Sequence, residues 1–130
     1  MEIKLDVTLD TNPPPYLDVD EQNGSNHIPK NASAYTIKWK LASDASSGSF
    51  NSLSDPQPGF AWIQTPDQGI FGAPVVSSNG KEITISDLNN SAASTGQWIY
   101  QLSATIGNVV YQSNATSITG TTTNPTIKNN

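Results

Sequence analysis

The stretch GQWIYQLSATIGNVVYQS, from Gly96 to Ser113, decides the fold class because its polarity alternates with the two-residue period of a β-strand. Apolar side chains recur at every second position of its first half: Trp98, Tyr100, Leu102, Ala104 and Ile106. Gly107-Asn108 then supplies a two-residue turn that suits the twist of antiparallel strands. The stretch therefore predicts a β-hairpin whose register pairs Ile106 with Val109.

Other parts of the chain show the same alternation, most clearly Ile3–Leu9 and Tyr35–Leu41. The Asn79-Gly80 dipeptide predicts a second hairpin turn, and the apolar residues around Pro74 predict an edge strand or an irregular one. Because no segment of three helical turns is visible, the pattern predicts an all-β fold. We expect an antiparallel β-sandwich of seven to nine strands with no substantial helix.

The length of 130 residues is typical of one domain. The alternating segments predict a single β-sandwich domain over residues 1–119. The remaining segment, residues 120–130, is rich in Thr and Asn with Ile127 as its one apolar residue. That composition predicts a polar C-terminal tail or an edge strand.

The region from Lys81 to Ser113 resembles the last three strands of an immunoglobulin-like or fibronectin-III-like sandwich. The residues that carry the resemblance are Ile83-Thr84-Ile85, Leu88 and the run Gly96-Gln97-Trp98-Ile99-Tyr100-Gln101-Leu102-Ser103-Ala104. The resemblance implies that Tyr100 is the tyrosine of a corner motif, whose hydroxyl returns to the backbone of the preceding loop. It also implies that Trp39 is a buried core tryptophan. It implies no activity, because this architecture serves many unrelated functions.

Composition excludes several classes of function. The chain has no cysteine, which excludes a disulfide framework, thiol catalysis and a Cys-ligated zinc site. Its six basic residues form no stripe and the net charge is −5, so neither nucleic acid nor a membrane surface is an expected partner. Charges in the first residues interrupt any secretory signal, which predicts a cytoplasmic location; a mature exported fragment with a new Met would read the same.

The sequence most favours a non-catalytic interaction or structural module, with a protein partner or a second copy of the chain as its ligand, so that a homo-oligomer is a reasonable hypothesis. The alternative is a carbohydrate-binding module that uses Trp62 and Phe60 as an aromatic platform between two Pro-rich turns. A small hydrolase is less favoured, because His27 is the only histidine and no nucleophile motif accompanies it. We therefore assign no catalytic residue and expect no cofactor.

Asp18, Asp20 and Glu21 are the weak candidates for a metal site, because they gather carboxylate oxygens of the kind that calcium prefers. The spacing does not match a helical calcium loop, since the twelfth position from Asp18 is Pro29 where that loop requires a Glu. We therefore predict no metal.

Overall fold

A computed structural model describes residues 2–10, 16–21, 24–113 and 125–130. It confirms the all-β class: within those ranges the chain forms eleven strands, and its helical content is limited to short 3-10 turns such as Ser43–Ala45 and Ala92–Ser94. The strands are β1 (Glu2–Asp10), β2 (Tyr16–Val19), β3 (His27–Ile28), β4 (Tyr35–Leu41), β5 (Ser49–Phe50), β6 (Phe60–Trp62), β7 (Val75–Val76), β8 (Glu82–Asp87), β9 (Gly96–Ile106), β10 (Val109–Gln112) and β11 (Thr126–Asn129). The number exceeds the expected seven to nine because poorly patterned segments contribute strands of two or three residues.

The first sheet has the strand order β2-β1-β4-β8-β7. The sequence predicted antiparallel sheets, and this part of the prediction is wrong, because β1 runs parallel to β4 with Leu5 opposite Trp39. The reason is the connection between them: the chain passes through β2 and β3 before β4, whereas a tight hairpin would have forced an antiparallel pair. Both sheets are mixed, since β3 and β11 also pair in parallel.

The second sheet is built around β9, which has eleven residues and bonds to neighbours along both of its sides. One side pairs with β10 and β11, and the other side pairs with β5 and β6. The hairpin predicted from Gly96 to Ser113 is confirmed, with Ile106 opposite Val109. Gly107 and Asn108 have φ values of 58° and 67°, and two successive positive values are those of a type I′ turn.

The core lies between the two sheets and contains the alternating apolar residues of β1, β4, β8 and β9. Trp39 is fully buried, as the resemblance implied, and its Nε1–H donates to the hydroxyl of Tyr100 over 2.8 Å. That partner is a side chain on the opposite sheet, whereas the corner motif implied a backbone partner. The bond joins β4 of the first sheet to β9 of the second at the centre of the core.

The C-terminal strand β11 lies between β9 and β3 and not at an edge of its sheet. Ile127 is 1 % exposed and packs in the core, which explains why a short polar segment docks there. Residues 120–124 of the predicted tail lie outside the described residues. In the part of the chain that the structure describes, no helix is long and apolar enough to span a membrane.

Candidate functional site

The strand β7 forms one edge of the first sheet, and its segment departs from regular pairing. Phe71 lies opposite Asp87, whereas Val75 lies opposite Thr84, so the edge segment contains one more residue than its partner between these two pairs. Such an extra residue is a β-bulge. Pro74 falls within it, and a proline is tolerated there because an edge strand need not donate on both sides. The sequence had predicted an edge or irregular strand here, as observed.

A shallow cleft of about 620 Å³ runs along β7. One wall is β7 with the turn that follows it, and the opposite wall is β5 together with Ser52 and Leu53. The described residues that line the cleft are Ser49, Phe50, Ser52, Leu53, Pro74, Val75, Val76, Ser77, Ser78, Asn79 and Gly80. The volume falls within the range of about 300–1,000 Å³ that is usual for ligand pockets.

The two walls meet at one end of the cleft, where Phe50 N–H donates to the Gly80 carbonyl over 2.7 Å. Gly80 has a φ of 74°, and a Cβ built on it would lie only 2.7 Å from the Cβ of Ser49. The turn itself is stiffened by Asn79, whose Oδ1 accepts from the Ser77 hydroxyl at 2.7 Å and from the Lys81 N–H at 3.0 Å. This end of the cleft is therefore closed by rigid backbone.

The lining is uncharged and carries two exposed apolar side chains, Leu53 at 40 % and Val75 at 58 %. The nearest cation along the chain is Lys81, whose Nζ donates to the carbonyl of Ser46 over 3.0 Å and to that of Gly48. Those bonds hold the ammonium against another turn. The cleft therefore offers serine hydroxyls, one carboxamide and aliphatic surface, a combination that suits neutral ligands.

Trp62 and Phe60, the aromatic residues predicted from the sequence, lie away from this cleft and have different environments. Phe60 is only 5 % exposed and stacks on Tyr100 with ring centroids 5.4 Å apart, so its ring belongs to the core and cannot serve as a platform. Trp62 is half-buried between Phe60 and Phe71, with centroid distances of 5.0 and 4.8 Å. Only Trp62 of the predicted pair keeps an exposed surface.

Asp18, Asp20 and Glu21 are not brought together as ligands of one ion, and the described residues contain no group of three His, Cys, Asp or Glu side chains that could hold a metal. Glu21 is instead engaged by β11, since its Oε1 accepts the N–H of Thr126 over 2.8 Å. Burial raises the pKa of Glu21 to about 7 against the opposing effect of that hydrogen bond. Burial, with help from neighbouring carboxylates, also raises the pKa of Asp18.

His27, the residue on which a hydrolase would depend, lies exposed on β3. Its position on a two-residue strand at the far end of the second sheet separates it from the cleft lining. The cleft therefore contains no imidazole to act as a general base.

The sequence did not identify the cleft residues Leu53 and Val75. Pro74 beside two valines indicated the edge, but the opposite wall comes from a segment more than twenty residues earlier in the chain. Comparison of the chain with protein-family models, with curated proteins and with solved structures finds no match.

Proposed function

We propose that this chain is a non-catalytic binding module that takes up an extended, uncharged segment of a partner protein in the cleft beside β7. The observation that carries the proposal is an exposed strand edge next to an uncharged cleft with two exposed aliphatic side chains, Leu53 and Val75. An extended segment can add to such an edge as a further strand, with its side chains entering the neighbouring depression.

The backbone of β7 supports this mode of binding. Ser77 N–H donates to the Glu82 carbonyl over 2.9 Å, which directs the polar backbone groups of Ser77 and Val75 toward β8. Because successive residues of an antiparallel strand alternate, the N–H and carbonyl of Val76 point away from β8 and toward the cleft side. Val76 can therefore exchange a pair of hydrogen bonds with an added strand.

The bulge limits how much strand can be added, because Pro74 has no N–H to donate. A ligand gains one pair of backbone bonds and covers two exposed aliphatic side chains, each worth about 2 kcal/mol when fully covered, at 25 cal/mol per Å² of apolar area. After the cost of association, such contacts support an affinity in roughly the micromolar range or weaker. The proposal is therefore of a weak, reversible contact.

The first test uses a displayed library of random ten-residue peptides, panned on the full chain. Selected peptides are synthesised and titrated while backbone amide chemical shifts are followed. We expect the largest shifts at Val76, Ser77 and Leu53. The variant Val75→Asp should weaken binding at least tenfold, because it places a charge in an uncharged cleft.

The matched control is Val109→Asp, which introduces the same charge on another edge strand, β10. The Val109 side chain is 50 % exposed, similar to Val75. This control should bind the selected peptides like the parent chain. Shifts confined to β10 or to Trp62, or equal losses in both variants, would overturn the proposal. A dimer in sedimentation that only Val75→Asp dissociates would identify a second copy as the partner.

A carbohydrate-binding module is the second candidate, because three half-buried rings stand in a row: Trp62, Phe71 and Trp98, with centroids 4.8 and 5.3 Å apart. The rings are inclined at 53° and 84° to one another, so they do not form the flat surface on which a sugar chain stacks most readily. Tryptophan quenching by an oligosaccharide panel, lost in Trp62→Phe and retained in Val75→Asp, would favour this candidate over the peptide site.

The immunoglobulin-like type of the sandwich is part of the proposal. It is supported by the burial of Trp39 against Tyr100 between the two sheets. The parallel pairing of β1 with β4 departs from the wholly antiparallel sheets of that type.

A further inference from the structure

Asp87 and Asn129 form a polar contact between the two sheets, in the interior of the protein. Asp87 ends β8 of the first sheet and is 0 % exposed, while Asn129 ends β11 of the second sheet and is 1 % exposed. The Nδ2 of Asn129 donates to Asp87 Oδ1 and to the Ser94 carbonyl, both over 2.9 Å. The contact therefore holds the end of the C-terminal strand to the opposite sheet.

Two buried oxygen atoms in this contact have no hydrogen-bond partner among the described residues: Asp87 Oδ2 and Asn129 Oδ1. Both are acceptors when Asp87 is ionised, so neither can satisfy the other. The two protons of the Asn129 amide are already donated, to Asp87 and to Ser94. An ionised Asp87 would leave a buried charge with a single direct donor, which is a costly arrangement.

A single proton on Asp87 Oδ2 would give both of these oxygen atoms a hydrogen-bond partner. We propose that Asp87 is protonated in the folded protein at mildly acidic pH and donates its Oδ2–H to Asn129 Oδ1, so that the docking of β11 weakens when Asp87 loses this proton. The carboxylic acid and the carboxamide then form a closed pair of two hydrogen bonds, in which each group donates once and accepts once. No other group has to gain or lose a proton for this pair to form.

The groups around Asp87 are consistent with this assignment. Tyr35 lies opposite it on β4, and Phe71 lies opposite it on the edge segment, so neither neighbouring strand offers a cation at that position. Lys30 is the charged group that acts on it and lowers its pKa, but burial has the larger effect and raises the pKa of Asp87 to about 6. The Lys30 ammonium is directed elsewhere, to Asn89 Oδ1, Thr95 Oγ1 and the Asn130 carbonyl.

The direction of the pH effect follows from this raised pKa. A carboxyl that binds its proton more tightly when folded stabilises the docked strand fully below its unfolded pKa of 3.8, and this stabilisation is lost as the pH rises through about 6. Glu21, which accepts the Thr126 N–H at the start of β11, has a raised pKa for the same reason and acts in the same direction, with Asp18 and Tyr100 as the titratable groups that interact with it. The two carboxyls must therefore be separated by experiment.

The test is made in a Glu21→Gln background, because the amide keeps an acceptor for Thr126 N–H and removes the second titration. Opening of β11 is followed by hydrogen exchange at Lys128 and Asn130, whose N–H groups bond to the carbonyls of Asn26 and Ile28. After correction for the intrinsic exchange rate, the opening constant should rise about tenfold from pH 5 to pH 8.

Adding Asp87→Asn should abolish this dependence, because an asparagine imitates the protonated acid with one donor and one acceptor toward Asn129. The matched control adds Asp67→Asn, which changes an exposed aspartate and should leave the tenfold dependence in place. An opening constant that remains pH-dependent with Asp87→Asn would overturn the proposal.

A second measurement does not depend on the variants folding. The carboxyl carbon shift of Asp87 in the intact chain should report a protonated acid at pH 5 and titrate near pH 6. A carboxylate shift throughout pH 5–8 would also overturn the proposal.

Discussion

Replacing Tyr100 by phenylalanine tests how the two sheets are joined at the centre of the core. Tyr100 is fully buried on β9, and its hydroxyl accepts the indole N–H of Trp39 from β4 over 2.8 Å. Burial raises the pKa of Tyr100 well above its usual range, so the hydroxyl is neutral wherever the protein is folded. The change removes this one acceptor and keeps the ring, which packs at 5.1 Å from Trp39 and 5.4 Å from Phe60.

The magnitude follows from what remains after the substitution. The indole N–H of Trp39 stays 0 % exposed and loses its partner, so the full cost of desolvating a donor applies and not merely the net value of one hydrogen bond. Such a cost is about 1–3 kcal/mol. For a chain of this length that loss corresponds to a fall in Tm of roughly 4–12 °C.

The assay is urea unfolding at constant pH, followed by tryptophan fluorescence and by far-UV circular dichroism, with Tm from calorimetry. The control is Tyr35→Phe, which removes the hydroxyl of another buried tyrosine. Among the residues that the structure describes, that hydroxyl accepts only a long bond of 3.4 Å from the amide of Asn31, so the control should cost less than about 0.5 kcal/mol.

Two results would contradict this prediction: unfolding of Tyr100→Phe at the same urea concentration as the parent, or equal losses of free energy in the two tyrosine variants. Either result would mean that the Trp39 N–H finds another partner or that the measured loss reflects general repacking. A double-mutant cycle with Trp39→Phe then measures the coupling directly, and we expect it to exceed about 1 kcal/mol.

Two further predictions concern other parts of the fold. Gly59→Ala should lower the free energy of unfolding by about 2 kcal/mol or more in urea unfolding, because the new Cβ would lie 2.3 Å from the Asn51 carbonyl oxygen. Its control, Gly69→Ala, meets no atom within 4 Å and should lose only the roughly 1–2 kcal/mol that a positive φ costs an alanine. Ile127→Ala should cost about 2–5 kcal/mol, since this side chain is 1 % exposed, whereas Lys128→Ala should stay within about 0.5 kcal/mol; an unchanged Tm for Ile127→Ala would show that β11 does not contribute to the core.

The strongly alternating strands could be predicted from the sequence because each satisfies a local rule. Tyr35–Leu41 is buried at every second position, as its alternation predicted. The Gly107-Asn108 turn sets the register of the hairpin formed by β9 and β10. The segment between Asp44 and Gly80 could not be predicted in this way. Its strands are two or three residues long and are formed by pairing with β8 or β9, so no periodic pattern marks them.

The candidate sites also differ in how far they could be predicted from the sequence. Phe60 and Trp62 were predicted as one platform because they are near each other in sequence. They do lie on the same face of β6, but Phe60 is buried inside the core, whereas Trp62 packs against the core and stays half-buried. Leu53 and Val75 were not predicted, because each is an isolated aliphatic residue in a turn-rich segment. They flank one cleft only after β5 and β7 have been brought together by their separate partners.

The sequence by itself determined the all-β class, the core faces of the long strands and the absence of disulfide and thiol chemistry, since each depends on residue type and on a period of two. The tertiary structure decided the parallel pairing of β1 with β4, the interior position of β11, the cleft beside β7 and the contact of Asp87 with Asn129. The physical reason is that these features join residues that are far apart in the chain. Their energies depend on burial and on partners that exist only once both sheets have formed.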